Sequence, residues 1–208
     1  MERRFYALKM GALLIAVYLL QLLFPSLTGL LSLRAETFMQ QPWTIVTSFF
    51  IHAPSDYMHL LNNLFFLIVF GSILEGYISG RRFLLLYLAS GIVANLSAFI
   101  FYPEAAVLGA SGAISGVVGY LAVLKPRQAG LFWGVPLPMW AVLIGWVATN
   151  AVGIGASAGI AFEAHLLGIV FGGIAAFPAR EVAEQERSED VQIDEEQIRE
   201  WEERYLHS

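Results

Sequence analysis

Gly109-Ala110-Ser111-Gly112-Ala113-Ile114-Ser115-Gly116-Val117-Val118-Gly119-Tyr120-Leu121-Ala122-Val123-Leu124 is an apolar run built largely from small residues. At about 1.5 Å per residue its roughly 16 residues make about 24 Å of helix, short of a hydrocarbon core of about 30 Å. If the run lies in a bilayer, its first turn starts below the outer surface. Irregular backbone at that depth is tolerated only where it is buried in protein or lines a water-filled cavity. Ser111 stands at that sunken helix start, where unpaired backbone N–H groups and the positive end of the helix dipole favour a negative charge. The local geometry suits an oxyanion.

The composition places the run in a membrane. Of 208 residues, 57% are hydrophobic and 14% are charged, and the mean hydropathy is positive. Those values are unlike a soluble domain. Glu2, Arg3, Arg4 and Lys9 lead into an apolar stretch from Met10 to Phe24 with no small-residue cleavage site behind it, which predicts a first transmembrane helix and no cleavable signal peptide. Cysteine is absent, which excludes disulfides, thiolate nucleophiles and cysteine-ligated metals. The net charge of -5 is unevenly spread: from Arg180 to Ser208 there are eleven Asp or Glu and four Arg. The acidity belongs to a tail, and the rest of the chain is slightly basic.

Six apolar segments can be marked, at roughly Tyr6–Phe24, Tyr57–Ile78, Phe83–Phe101, Gly109–Leu124, Leu131–Ile154 and Ile160–Phe177. The expected fold is an all-α polytopic membrane protein with six transmembrane helices, comprising a membrane domain over 1–178 and an acidic tail over 179–208. With six crossings Arg3, Arg4, Lys9, Arg81, Arg82, Lys125, Arg127 and Arg180 fall on one side and only Arg34 on the other, so both termini are expected in the cytoplasm. The longest connection, Pro25 to about Asp56, carries Trp43, Phe49 and Phe50 and is expected to lie along the outer interface as a structured element.

Small residues show how a partner helix can approach Ser111. Ser111, Ser115 and Gly119 recur every four residues, and in the last segment Gly168 and Gly172 repeat at the same spacing, with His165 three residues before Gly168. If those faces meet, His165 comes within hydrogen-bond reach of Ser111, because both lie a few residues in from the outer ends of their helices. A base beside a hydroxyl turns serine into a nucleophile. No aspartate stands out as a third member: Asp56 lies at a loop edge, and Glu163 points elsewhere on its helix. The expectation is a Ser-His dyad. The second segment adds His59 and Asn63, four apart on one helix face at about the same depth. Neutral donors at that level would hold the oxygen that becomes negative during attack on a carbonyl, each worth about 2.7 to 4 kcal/mol of transition-state stabilisation. Metal chemistry would need a cluster such as two histidines four apart with a glutamate between, and the sequence has none.

Taken together these residues resemble the rhomboid family of intramembrane serine proteases. The resemblance runs from the first segment to Phe177 and rests on three ordered motifs. These are Gly109-Ala110-Ser111-Gly112 with Gly119 and Tyr120 behind it, His59 and Asn63 continuing to Gly71 and Glu75, and Ala164-His165 with Gly168 and Gly172. It implies that Ser111 attacks, that His165 serves as general base and then acid, and that His59, Asn63 and the Ser111 backbone N–H line an oxyanion hole. It further implies transmembrane protein substrates cut near their outer ends, entering sideways between the second and fifth helices. Three positions depart from the family pattern. Trp43-Thr44 stands where the family usually has Trp-Arg; His52 and His59 are seven apart where five is common; Ser115 occupies a position where the family often stacks an aromatic ring on the catalytic histidine. The orientation of His165 must then come from other packing.

The other polar residues read as structural. His52 is expected to fix a loop, Asn62 and Asn95 to pack or hydrogen-bond, and Glu75 to pair with Arg81 or Arg82 or to cap a loop. Trp133, Trp140 and Trp146 are read as interface and packing aromatics. The connection from Gly155 to Phe162, mobile backbone carrying apolar plugs, is a candidate lid. In the tail, Ile198, Trp201 and Tyr205 lie at helical spacing, with supportive pairs Glu195/Arg199 and Glu200/Arg204. They suggest a short amphipathic helix, against the alternative of a solvated tail. The expected partners are transmembrane protein substrates and membrane lipid, with no nucleic acid and no cofactor or metal; the cell membrane is the expected location. Two other classes stay open: a catalytically inactive rhomboid-like protein that binds client transmembrane helices, and a transporter or channel. The latter would be marked by interrupted helices or an internal repeat, neither of which is visible.

Overall fold

The computed structural model describes residues 5–154 and 160–206, with backbone alone from 182 to 197. It is mostly helical. Four helical stretches are long and apolar enough to cross a membrane: Tyr6–Leu23, Tyr57–Leu74, Gly80–Phe101 and Phe162–Glu181. Two further apolar helices are shorter, Ser111–Leu124 and Met139–Gly153. In chain order the elements are α1 (Tyr6–Leu23), α2 (Ser26–Leu31), α3 (Thr44–Thr47), α4 (Tyr57–Leu74), α5 (Gly80–Asn95), α6 (Ser97–Phe101), α7 (Ser111–Leu124), β1 (Ala129–Phe132), β2 (Val135–Pro138), α8 (Met139–Gly153) and α9 (Phe162–Tyr205). The apolar surface is turned outward as well as inward: Leu13, Ile15, Leu19 and Leu22 on α1 are all exposed. A helix apolar all round is a core element or a membrane span, and these side chains face what would be lipid.

The helix α7 is the centre of the bundle, with nearly every side chain from Gly112 to Leu124 buried. It packs against α5 on one side and α9 on another. The face that meets α9 differs by one residue from the sequence expectation. It is formed by Gly112, Gly116 and Gly119, not by Ser111, Ser115 and Gly119. A methyl group at Gly168 would overlap the Gly112 carbonyl, one at Gly172 the Gly116 carbonyl, and one at Gly119 the Ile169 carbonyl. Backbone lies on backbone along the whole contact, which only glycine permits. The shift turns Ser111 to the edge of the contact, where it is half-buried.

The segment expected as one helix from Leu131 to Ile154 is two elements. Ala129–Phe132 and Val135–Pro138 form an antiparallel hairpin with Gly130 opposite Leu137 and Phe132 opposite Val135. Its turn residues Trp133 and Gly134 both have positive φ, 51° and 79°, the condition for a two-residue hairpin turn. Pro136 lies in the second strand and Pro138 at the helix cap, where a missing N–H costs least, and α8 begins at Met139. Trp133 is exposed at the hairpin tip and Trp140 is exposed on α8, whereas Trp146 packs on Phe66 and Phe70 with ring centroids 4.7 and 5.8 Å away. The last helix also exceeds its apolar segment: α9 continues past Phe177 through Pro178 to Tyr205. Residues 155–159 of the candidate lid lie outside the described residues.

The connection between α1 and α4 is structured and anchored by neutral hydrogen bonds. Buried Gln21 on α1 donates through Nε2 to the His52 carbonyl (2.9 Å) and accepts from the His52 N–H at Oε1 (3.1 Å). Asn95 at the end of α5 donates through Nδ2 to the Ile45 carbonyl (2.8 Å) and the Ser48 hydroxyl (2.7 Å). Leu33 and Val107 form an antiparallel bridge. These contacts supply the anchoring expected of an arginine after Trp43; Thr44 is buried and donates to the Gln41 carbonyl at 2.7 Å. Glu75 follows the end of α4 and pairs with neither Arg81 nor Arg82 in this arrangement. It accepts from the N–H groups of Tyr6 (2.6 Å) and Ala7 (3.2 Å), and so caps the start of α1, satisfying two otherwise orphaned donors.

Candidate active site

Ser111 is the first residue of α7. The chain reaches it through Gly109, whose φ of +114° is accessible only to glycine, and whose N–H donates to the Ser48 carbonyl at 3.0 Å. No side chain caps the helix at Ala110, so the opening N–H groups of α7 point out beside the Ser111 hydroxyl. On α9, the glycine contact described above draws His165 level with it. His165 Nε2 lies 2.7 Å from Ser111 Oγ, a short hydrogen bond. The two residues are 54 apart in sequence, and the meeting of small-residue faces brings them together.

His165 is held on its other side as well. Its Nδ1 lies 2.6 Å from Oδ1 of Asn150, a buried residue of α8. Asn150 Nδ2 in turn donates to the Trp146 carbonyl at 2.8 Å. The Phe162 ring stands edge-on to the imidazole, centroids 6.3 Å apart. These contacts orient His165 in the absence of an aromatic ring at position 115. The Ser115 hydroxyl is buried and has no hydrogen-bond partner. Glu163 is turned away, its carboxylate accepting from the Tyr102 hydroxyl. The row is therefore Ser111, His165 and Asn150, one polar side chain longer than the expected dyad. Motif reading passes over Asn150, although an amide inside an apolar segment is itself a signal of a functional or interhelical contact.

His59 and Asn63 sit on one face of α4. Asp56 caps the start of that helix by accepting from the His59 N–H at 3.2 Å. The His59 ring lies over Gly109, so near that a Cβ there would be 2.6 Å from Nε2. This sets the His59 ring against the loop that leads into α7, at Gly109, two residues before Ser111. Asn63 is buried and donates through Nδ2 to the His59 carbonyl at 2.7 Å; an amide nitrogen has a second N–H. His52 packs edge-on against His59, ring centroids 5.0 Å apart. Its ring nitrogens are buried without partners, and burial, then the neighbouring His59, pushes its pKa down to about 3. The loop is fixed by the His52 backbone, clamped by Gln21, and not by its ring. Asn62 is exposed.

Among the described residues, no three His, Asp or Glu side chains gather where they could hold a metal ion. The chemistry that the arrangement offers is a hydroxyl paired with an imidazole at an uncapped helix start.

Comparison with known proteins bears on the whole region. The Rhomboid domain family model matches residues 39–181, which takes in α4 to α8, the first part of α9 and all four residues of the predicted site. The rhomboid-named YdcA of Bacillus subtilis is 30% identical over 142 residues, 65% of this chain and 66% of that protein. "Rhomboid protein 1, mitochondrial" of Saccharomyces cerevisiae is 31% identical over 159 residues, 72% of this chain and 45% of its own length. "Rhomboid-like protease 3" of Toxoplasma gondii is 38% identical over 82 residues, 39% of this chain and 30% of its own. The matched part thus spans about two thirds of the Bacillus relative and less than half of the other two. With a matching domain over more than half its length, and helices apolar enough to cross a bilayer, this integral membrane protein belongs to the rhomboid family.

Proposed function

We propose that this protein is an intramembrane serine endopeptidase that cleaves transmembrane segments of membrane proteins near their outer ends. The observation that carries the reading is the 2.7 Å contact between Ser111 Oγ and His165 Nε2 at the uncapped start of α7. Ser111 Oγ attacks the substrate carbonyl carbon as its proton passes to His165 Nε2. The carbonyl oxygen becomes an oxyanion, stabilised by the Ser111 N–H with His59 and the free N–H of Asn63. Collapse breaks the C–N bond, His165 returns the proton to the leaving amine, and an acyl-enzyme remains on Ser111. Water, deprotonated by His165, then attacks the ester and releases the acid product and the free serine. A helical carbonyl is engaged in its own hydrogen bond, so the substrate must unwind before it is cut. It enters between α4 and α8.

In this reading the chain crosses the cell membrane six times, using α1, α4, α5 with α6, α7, α8 and α9, with both termini in the cytoplasm. Residues 1–178 form the membrane domain, and 179–208 an acidic cytoplasmic extension. The short α7, 14 residues or about 21 Å, accounts for a catalytic serine below the outer surface.

The test is cleavage in proteoliposomes of a reporter carrying one transmembrane segment, with the products mapped by mass spectrometry. Cleavage near the outer end that is lost in Ser111→Ala is expected. Reporter binding without cleavage, in protein shown to be folded, would replace this reading with an inactive client-binding rhomboid-like protein.

A further inference from the structure

We propose that Asn150 is a positioning residue that fixes the tautomer of His165 and so makes it a base toward Ser111; the proposal rests on the protease reading above. An amide has one acceptor end and one donor end, and which end faces which neighbour is decided by the surrounding network. Asn150 Nδ2 donates to the Trp146 carbonyl at 2.8 Å, and a carbonyl can only accept. That contact points Oδ1 at His165 Nδ1, 2.6 Å away. Oδ1 can only accept, so Nδ1 must carry the hydrogen. Nε2 is then left with its lone pair, directed at Ser111 Oγ at 2.7 Å. The opposite tautomer would set two lone pairs against each other between Nδ1 and Oδ1. It would also leave Nε2 with a hydrogen where catalysis needs an acceptor.

The same contact strengthens during reaction. When Nε2 takes the Ser111 proton, His165 becomes a cation and its Nδ1–H bond to Asn150 becomes charge-assisted, roughly doubling its strength. The interaction is therefore worth more in the transition state than in the resting enzyme, the condition for accelerating chemistry and not merely binding. No carboxylate takes this place. Glu163 on the same helix accepts from Tyr102, and among the described residues the titratable group whose charge bears on His165 is His59 on α4. Asn150 is also 4% exposed, so water does not compete for the bond.

The test compares wild type, Asn150→Leu and Asn150→Asp in proteoliposomes, measuring kcat and KM on the transmembrane reporter and the pH profile of kcat/KM. Asn150→Leu keeps the shape and removes the acceptor; kcat should fall roughly 10²-fold, the cost of losing catalytic alignment, with KM little changed. Asn150→Asp keeps an acceptor at Nδ1 and should recover most of that kcat. It should also move the acidic limb of the profile to higher pH, because a carboxylate beside the ring favours its charged form. Wild-type kcat in Asn150→Leu, or Asn150→Asp with the wild-type pH profile, would overturn the proposal while leaving the protease reading intact. If Asn150→Leu does not fold, the Asn150→Asp profile alone decides. A wild-type protein that neither cleaves nor depends on Ser111 would overturn the protease reading and this assignment with it.

Discussion

Substituting Gly172 by alanine should separate α7 from α9 and disable Ser111 without removing any polar group. A Cβ at Gly172 would lie 2.6 Å from the carbonyl carbon and 2.8 Å from the Cα of Gly116, besides overlapping the Gly116 oxygen. Carbon atoms rest at about 3.5 to 4.0 Å. All three opposing atoms are backbone, so no side chain can swing aside, and the helices must part by about 1 Å. Gly172 is seven residues from His165, two helical turns along the same face. If the separation reaches the outer end, the 2.7 Å contact between Ser111 and His165 lengthens to about 3.7 Å, beyond a hydrogen bond. A misplacement of about 1 Å costs roughly 10²-fold in rate, and overpacking costs about 1 to 3 kcal/mol of stability.

The assay is the rate of covalent labelling by a fluorophosphonate probe in detergent, with thermal unfolding followed on the same samples. Gly173→Ala is the matched control, because a methyl there meets only Val123 Cγ2 at an ordinary 3.6 Å. The expected result is a folded Gly172→Ala protein with a labelling rate reduced roughly 10²-fold, beside an unaffected Gly173→Ala. Wild-type labelling in Gly172→Ala would show that the glycine contact does not hold Ser111 and His165 together, and would refute the reasoning.

Other expected outcomes concern the scaffold around the site. Glu75→Ala leaves the first N–H groups of α1 without their acceptor and should lower thermal stability by about 1 to 2 kcal/mol. Ser111 labelling per folded molecule should be unchanged, and an unaltered melting temperature would dispose of the capping role. Asn95→Leu strips the Ile45 carbonyl and the Ser48 hydroxyl of their donor. It should cost about 1 to 3 kcal/mol and open the loop after α1 to limited proteolysis; a digestion pattern like wild type would count against this anchor. His52 is buried neutral with its pKa near 3, against 6.5 in an exposed chain. The unfolded protein therefore takes up a proton that the native one refuses as pH falls below about 6.5, and stability present above that pH is lost on acidification by about 1.4 kcal/mol per unit. His52→Phe should flatten that dependence, measured as melting temperature between pH 7.5 and 5; an equal slope in the variant would assign the acid sensitivity elsewhere.

The location of Ser111 and His165 was legible because polar groups in apolar spans stand out, and because glycines at a four-residue spacing mark the faces that meet. The register of that contact was not. Serine and glycine are both small, so Ser111/Ser115 and Gly112/Gly116 are equivalent in pattern, and only the backbone overlap at Gly168 and Gly172 distinguishes them. Hydropathy ran the hairpin and α8 into one segment, since Leu131, Phe132, Trp133 and Val135 are as apolar in a strand as in a helix. The turn was signalled instead by Trp133-Gly134 followed by Pro136 and Pro138. Asn150 had the mark of a functional residue, an amide in an apolar helix, but its partner stands on another helix and no local spacing joins them. The loop anchors were hidden for the same reason: Gln21 and His52 lie 31 residues apart, Asn95 and Ser48 47 apart. Glu75 reads as a partner of Arg81 or Arg82 or as a loop cap, because those arginines are close in sequence; what it caps is the start of α1, which is close only in space.

Activation of Ser111 by His165 is most directly tested by fluorophosphonate labelling of the folded wild-type protein, with the adduct located by mass spectrometry and Ser111→Ala and His165→Ala run in parallel. A single adduct on Ser111, absent from both variants, is the expected result. No adduct, an adduct on another residue, or undiminished labelling in His165→Ala would contradict it.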